Sequence, residues 1–167
     1  TTGVGIFFDA AQRAAIRPQF VDLLARIHTL DTRGAALSAF TMPRVEPTAD
    51  VDRQLNWWGR VWHEDRLEDV PILTLAEQWL RANRKPLDHC SLVHSDFRTG
   101  NYLFDEKTLK ITAMLDWELG YFGDRHLDLA WVLMPEFETI GEDGQRLSSS
   151  LFARPQFLDA YERASGL

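Results

Sequence analysis

Apolar residues along the first half of the chain recur every three or four positions. Phe20, Val21, Leu23, Leu24, Ile27 and Leu30 fall on one face, so Pro18 to Leu30 predicts an amphipathic helix with proline in its first turn. Pro43 and Pro47 mark a loop. Val51, Leu55, Trp58 and Trp62 predict a second helix, opened by Asp50 as its cap. A third follows Pro71, with Ile72, Leu75, Ala76, Trp79 and Leu80 expected on its buried side. Arg81 to Lys85 sets positive charge in its last turn, where the helix dipole favours it.

The period changes near Cys90. "CSLVH" and "NYLF" have strand character, and "LKITAMLD" alternates before ending in an acid. "DEKT" is a turn cluster, so Tyr102–Phe104 and Leu109–Leu115 are expected to pair as a hairpin. Helical spacing returns at "HLDLAWVLM". "GEDGQR" reads as an exposed loop, and Pro155 to Ala164 as a last helix stopped by Gly166. With no internal repeat or low-complexity tract, the pattern predicts a mostly helical α+β chain with one small β patch in its middle.

The bulk numbers add exclusions. A chain of 167 residues can bury a core of its own, and 45% hydrophobic with 26% charged residues is ordinary for a globular protein. No apolar run is long enough to span a bilayer, so no membrane partner is expected. Cys90 is the only cysteine, which points to a reducing, cytoplasmic setting. A net charge of −7 argues against a nucleic-acid polymer as partner, and is compatible with a cationic substrate or a bound divalent metal.

The densest polar cluster lies in "LVHSDFRTGNYLF", Leu92 to Phe104, on the loops of the β patch. Asp96 and Asn101 follow a strand, and Asp116 ends the hairpin that comes after. If the hairpin folds back, Asp116 comes beside Asn101. A carboxylate and an amide oxygen suit magnesium, which takes few protein ligands and leaves positions for water and phosphate. Asp96, outside that shell, could accept a proton from a substrate hydroxyl, the minimum for phosphoryl transfer.

"HSDFRTGN" fits the H-x-D-x-x-x-x-N catalytic loop of protein kinases. The wider run "LVHSDFRTGNYLFDEKTLKITAMLDWELGYFGDRHLDLAW" more closely resembles the aminoglycoside phosphotransferase family. Members typically read H-G-D-x-x-x-x-N, a hairpin, D-W-E or D-F-E, then G-D-x-x-x-D-L-A. It is similar in particular to the branch related to domains fused to acyl-CoA dehydrogenases. "LLARIHTLD" resembles that family's helix ending in Leu-His-x-x-Asp.

The resemblance implies the mostly helical C-terminal lobe of a protein-kinase-like fold, carrying its catalytic loop on the hairpin patch. It implies Asp96 as general base, and Asn101 and Asp116 as magnesium ligands at the nucleotide phosphates. His94 would brace the loop, and Arg98 would orient Asp96 or neutralise phosphate. Asp124 and Asp128 would fix the loop by hydrogen bonds, and Glu118 would touch the metal shell or substrate. The implied cofactors are Mg²⁺ and ATP or GTP, and the implied partners are a nucleotide and a small-molecule hydroxyl substrate. Ser95 stands where the family usually has glycine.

The phosphate-covering loop and lysine of a kinase β lobe are not found, and "GVG" at Gly3 to Gly5 is not that loop. "TTGVGIFFD" resembles the segment after the hinge. The expectation is therefore a single C-terminal lobe over 1–167, incomplete at both ends and inactive by itself.

Blander readings compete. Asp96 and Asn101 could merely cap turns, but their joint spacing with His94 and Asp116 favours the catalytic one. His28, His63 and His126 are expected to pack or cap, and Trp57, Trp58, Trp62 and Trp79 to lie in the core. His89, Cys90 and His94 lack a second ligand cluster for zinc. Glu136, Glu138, Glu142 and Asp143 read as a solvated loop. Against the phosphotransferase stand a catalytically inactive kinase-like binding or scaffold module and a metal-dependent phosphohydrolase.

Overall fold

The structure, a computed structural model, describes residues 8–31 and 46–167. Five helices and six short strands follow in order: α1 (Ala10–His28), α2 (Ala49–Asp65), α3 (Pro71–Asn83), β1 (Ser91–Val93), β2 (Tyr102–Phe104), β3 (Ile111–Met114), β4 (Tyr121–Gly123), α4 (His126–Val132), β5 (Glu138–Ile140), β6 (Arg146–Ser148) and α5 (Arg154–Ser165). They form two compact units. Among the described residues, one comprises 8–31, 91–121 and 125–167, and the other 46–90 and 122–124.

The first unit is built around α1, which begins eight residues before the expected Pro18. Asp9 and Gln12 start it as a capping box: Gln12 N–H donates to Asp9 Oδ1 at 2.8 Å and Asp9 N–H donates to Gln12 Oε1 at 3.0 Å. That reciprocal cap outweighs the signal of Pro18, which sits inside the helix. Ile16, Phe20, Leu24 and Ile27 then bury one stripe, and α1 packs along α5. Phe20 is the hub. Its ring centroid lies 4.7 Å from Phe97, 6.0 Å from Tyr102 and 6.5 Å from Phe157, so one helix position gathers the loop after β1, the hairpin and the last helix.

β2 and β3 pair antiparallel, Tyr102 opposite Met114 and Leu103 opposite Ala113, as the alternation predicts. The turn is chemical: Asp105 Oδ1 accepts from Lys107 N–H, Thr108 N–H and the Thr108 hydroxyl. The Thr108 backbone bond above all holds the Asp105 carboxyl below its usual value. Gln19 ties the hairpin to α1, donating to Leu109 O at 2.8 Å and accepting from Ile111 N–H at 3.0 Å. "GEDGQR" is a turn, but β5 and β6 flank it as an unexpected hairpin, Glu138 opposite Ser148. The Asp143-Gly144 pair, with Gly144 at φ +77°, was the available signal. Gly166, at φ +69°, ends α5 as expected.

In the second unit α2 packs on α3. Thr48, not Asp50, is the N-cap; Asp50 lies in the first turn, 3.3 Å from Arg53. The apolar face of α3 and the tryptophans depart from expectation. Ile72 is 65% exposed and Trp79 62%, and Leu75, Leu80, Trp57 and Trp58 are exposed as well. Two helices cover one narrow stripe of each other, and apolar positions outside it stay open.

Candidate active site

β1 delivers the chain into the loop 94–101, and Phe97, fully buried against Phe20, pins the loop's middle. Ser95 adopts the left-handed region at φ +71°, the reason a glycine serves well there. Its hydroxyl is buried with no hydrogen-bond partner among the described residues.

The loop's backbone is held by Asp128 from α4. His94 N–H donates to Asp128 Oδ2 at 2.8 Å, and Ser95 N–H donates to Oδ1 at 2.7 Å. His28 Nε2 lies 3.1 Å from Oδ2, and its Nδ1 lies 2.7 Å from the Tyr161 hydroxyl, so the chain of contacts runs on to α5. All of His28 and Asp128 is buried. Burial pushes the Tyr161 phenol up, against the pull of Ser165 and Arg125. His28, expected to pack or cap, is thus a working member of this network.

His94 braces the loop from within. Asp96 N–H donates to its Nδ1 at 3.2 Å, and its Nε2 lies 2.7 Å from Leu115 O. A backbone N–H on one nitrogen and a carbonyl on the other require the tautomer protonated at Nε2. The imidazole therefore bridges the loop 94–101 and the end of the hairpin, with Trp117 packed 4.6 Å away.

Asp96 points into a ring of donors. Its Oδ1 accepts from Arg98 Nε at 2.9 Å and from Trp131 Nε1 at 2.6 Å, and its Oδ2 accepts from Asn101 Nδ2 at 2.5 Å. Arg98 is thus on the carboxylate, its guanidinium also lying over the Phe137 ring at 5.3 Å. Asn101 Nδ2 donates to Asp96 O as well, at 2.9 Å. Two acceptors on one side of the amide fix which end is NH₂ and turn Oδ1 the other way. Leu115 N–H donates to Asn101 O at 2.7 Å, carrying the ladder one pair beyond the strands. Asp116, exposed and at φ +66°, is the next residue, so the fold brings its backbone beside Asn101. Glu118 follows on an exposed helical turn.

The donor set suits a hard divalent cation: an amide oxygen directed away from Asp96 and an exposed carboxylate one residue past its backbone partner. Among the described residues no three His, Cys, Asp or Glu side chains gather as a metal cage. A cation here would lean on phosphate oxygens and water for most of its shell, as magnesium commonly does. Trp131 escaped the sequence reading, which gave "HLDLAWVLM" only helical spacing. The available signal was its spacing: three residues after Asp128, it shares that residue's face of α4.

Comparison with known proteins bears on family and fold. Residues 7–167 match the family described as "Phosphotransferase enzyme family". A curated relative, acyl-CoA dehydrogenase family member 11 of Rattus norvegicus, is 33% identical over 122 residues, which cover 72% of this chain and 15% of that protein. A Ralstonia eutropha JMP134 protein, provisionally described as an aminoglycoside phosphotransferase, superposes with TM-score 0.74 at 24% identity, over 95% of this chain and 49% of that one. A macrolide 2'-phosphotransferase type I superposes with TM-score 0.67 at 22% identity, over all of this chain and 52% of its own. These two likenesses show the fold, which is α+β and kinase-like, as the motifs implied. Matched along nearly its whole length, the chain belongs to the phosphotransferase enzyme family.

Proposed function

We propose that this chain is the C-terminal lobe of a kinase-like small-molecule phosphotransferase that moves the γ-phosphoryl group of ATP or GTP to a substrate hydroxyl. The observation that carries the reading is the Asp96 carboxylate held by Arg98, Trp131 and Asn101, with Asn101 joined through the hairpin to the residue before Asp116. Asp96 acts as general base toward the acceptor hydroxyl, and His94 and Arg98 hold it in place. Asn101 and Asp116 hold Mg²⁺, which supplies charge neutralisation at the nucleotide phosphates.

The chain spans only 15% of the length of the curated relative, so the whole protein's activity is an inference from this part. The chain spans about half the length of the two solved structures it superposes on, and by itself it is expected to bind nucleotide weakly and to show little phosphoryl transfer. The acceptor is a small hydroxyl compound: an aminoglycoside, a choline-like alcohol, a sugar or a hydroxylated acyl thioester. Likeness to a protein named for acyl-CoA dehydrogenases favours a metabolic acceptor over an antibiotic. No described helix is long and apolar enough to cross a membrane.

The test offers Mg-ATP and a panel of alcohols to the intact protein and follows ADP and phosphorylated product. Transfer to an alcohol, lost in Asp96→Ala while Mg-ATP binding persists, is the expected result. Activity within a few-fold of wild type would remove Asp96 from the base role. Phosphate release with no transfer to any alcohol of the panel would indicate a phosphohydrolase, and nucleotide binding without turnover a scaffold module.

A further inference from the structure

α4 touches the catalytic loop at two levels. Asp128 takes the backbone N–H groups of His94 and Ser95, and Trp131, one turn later on the same face, donates its indole N–H to the Asp96 side chain. The other two donors to that carboxylate, Arg98 and Asn101, ride on the loop itself and move with it. Trp131 is therefore the member of this donor set that fixes the carboxylate relative to the rest of the unit. Its ring is held in turn by Phe137, 5.6 Å away.

The lone pairs sharpen the consequence. A carboxylate oxygen offers two good acceptor sites. Oδ1 already takes Arg98 Nε and Trp131 Nε1, which saturates it. Among the described residues Oδ2 takes only Asn101 Nδ2, which leaves one site.

We infer that Trp131 is a positioning residue for phosphoryl transfer, saturating and orienting Asp96 Oδ1 so that Oδ2 alone receives the acceptor's proton. This rests on the general-base reading of Asp96. In the step, the acceptor O–H bond breaks and its proton passes to Oδ2. The oxygen lone pair forms the new bond to the γ-phosphorus, and the bond from that phosphorus to the β,γ-bridging oxygen breaks, its electrons leaving on the nucleoside diphosphate. Without the indole N–H, Oδ1 regains a free site and the carboxylate can rotate, so protons meet a mixture of geometries.

The experiment uses the intact protein with Mg-ATP and water as the acceptor, followed as phosphate release, and repeats it with any alcohol found to accept. Trp131→Phe keeps an aromatic ring against Phe137 and removes only the donor. It should lower kcat roughly ten- to a hundredfold, the range for one charge-assisted hydrogen bond, with KM for ATP unchanged. Trp131→His, whose Nε2 overlays the indole Nε1, should recover part of the loss. In proton–nitrogen correlation spectra the Trp131 indole N–H should resonate downfield in wild type and shift upfield in Asp96→Ala, whatever the activity. An unmoved indole signal, or Trp131→Phe within twofold of wild-type kcat while Asp96→Ala is dead, overturns the inference and leaves the base role standing. An active Asp96→Ala overturns the base role instead, even if the indole signal moves.

Discussion

Asp128→Asn isolates what the buried carboxylate does for the loop. In wild type both oxygens are acceptors, facing His94 N–H at 2.8 Å, Ser95 N–H at 2.7 Å and His28 Nε2 at 3.1 Å. An asparagine of the same shape keeps one oxygen and sets an NH₂ where the other was. Whichever way it turns, at least one backbone or imidazole donor faces another donor with no water to turn to, because the site is fully buried. An unsatisfied buried donor costs about 1–3 kcal/mol, and losing the anion weakens the bond that survives. The expected destabilisation is about 2–4 kcal/mol, a large share of the 5–15 kcal/mol typical of a domain. At this chain length that lowers Tm by roughly 4–16 °C. Urea unfolding followed by near-ultraviolet circular dichroism, alongside calorimetry, measures both quantities. A loss below about 0.5 kcal/mol would refute the claim that Asp128 is the loop's anchor.

Two further outcomes follow from buried groups near the loop. Burial pushes the Tyr102 phenol up to about 12 from its usual value near 10, an effect that the Thr99 hydroxyl partly offsets. Below pH 10 the folded and unfolded states both hold this proton. As pH rises toward 12 the unfolded chain releases it first, so stability falls across that window by about 3 kcal/mol. Tyr102→Phe should flatten the alkaline slope while costing little at pH 7, since among the described residues the hydroxyl finds no hydrogen bond of normal geometry; a slope equal to wild type would contradict it. Ser95→Gly should raise stability by about 1 kcal/mol, relieving a left-handed backbone and removing an unpartnered hydroxyl. Ser95→Ala removes the hydroxyl alone, so thermal melts of the pair separate the two contributions, and a Ser95→Gly that melts below Ser95→Ala would rule out backbone strain.

Local chemistry was legible without coordinates. The β2–β3 hairpin follows from alternation around an Asx-type turn, α3 begins at its proline, and α5 stops at Gly166. The spacing of His94, Asp96, Asn101 and Asp116 around that hairpin marked the candidate site, because a two-residue period and a tight turn leave little freedom in where a loop residue lands. Where a cue had a rival, the sequence misled. Pro18 resembled a helix start until Asp9 and Gln12 capped one eight residues earlier, and the α3 stripe resembled a core face though its pairing with α2 leaves it open.

Tertiary structure alone decided which distant groups meet. Trp131 lies 35 residues from Asp96, and Tyr161 lies 133 from His28. Neither separation has a period that a sequence can display, since each depends on how distant elements pack in the folded unit. Hydrophobic packing chose those approaches, and the polar atoms they brought together had to find one another because burial left them no water.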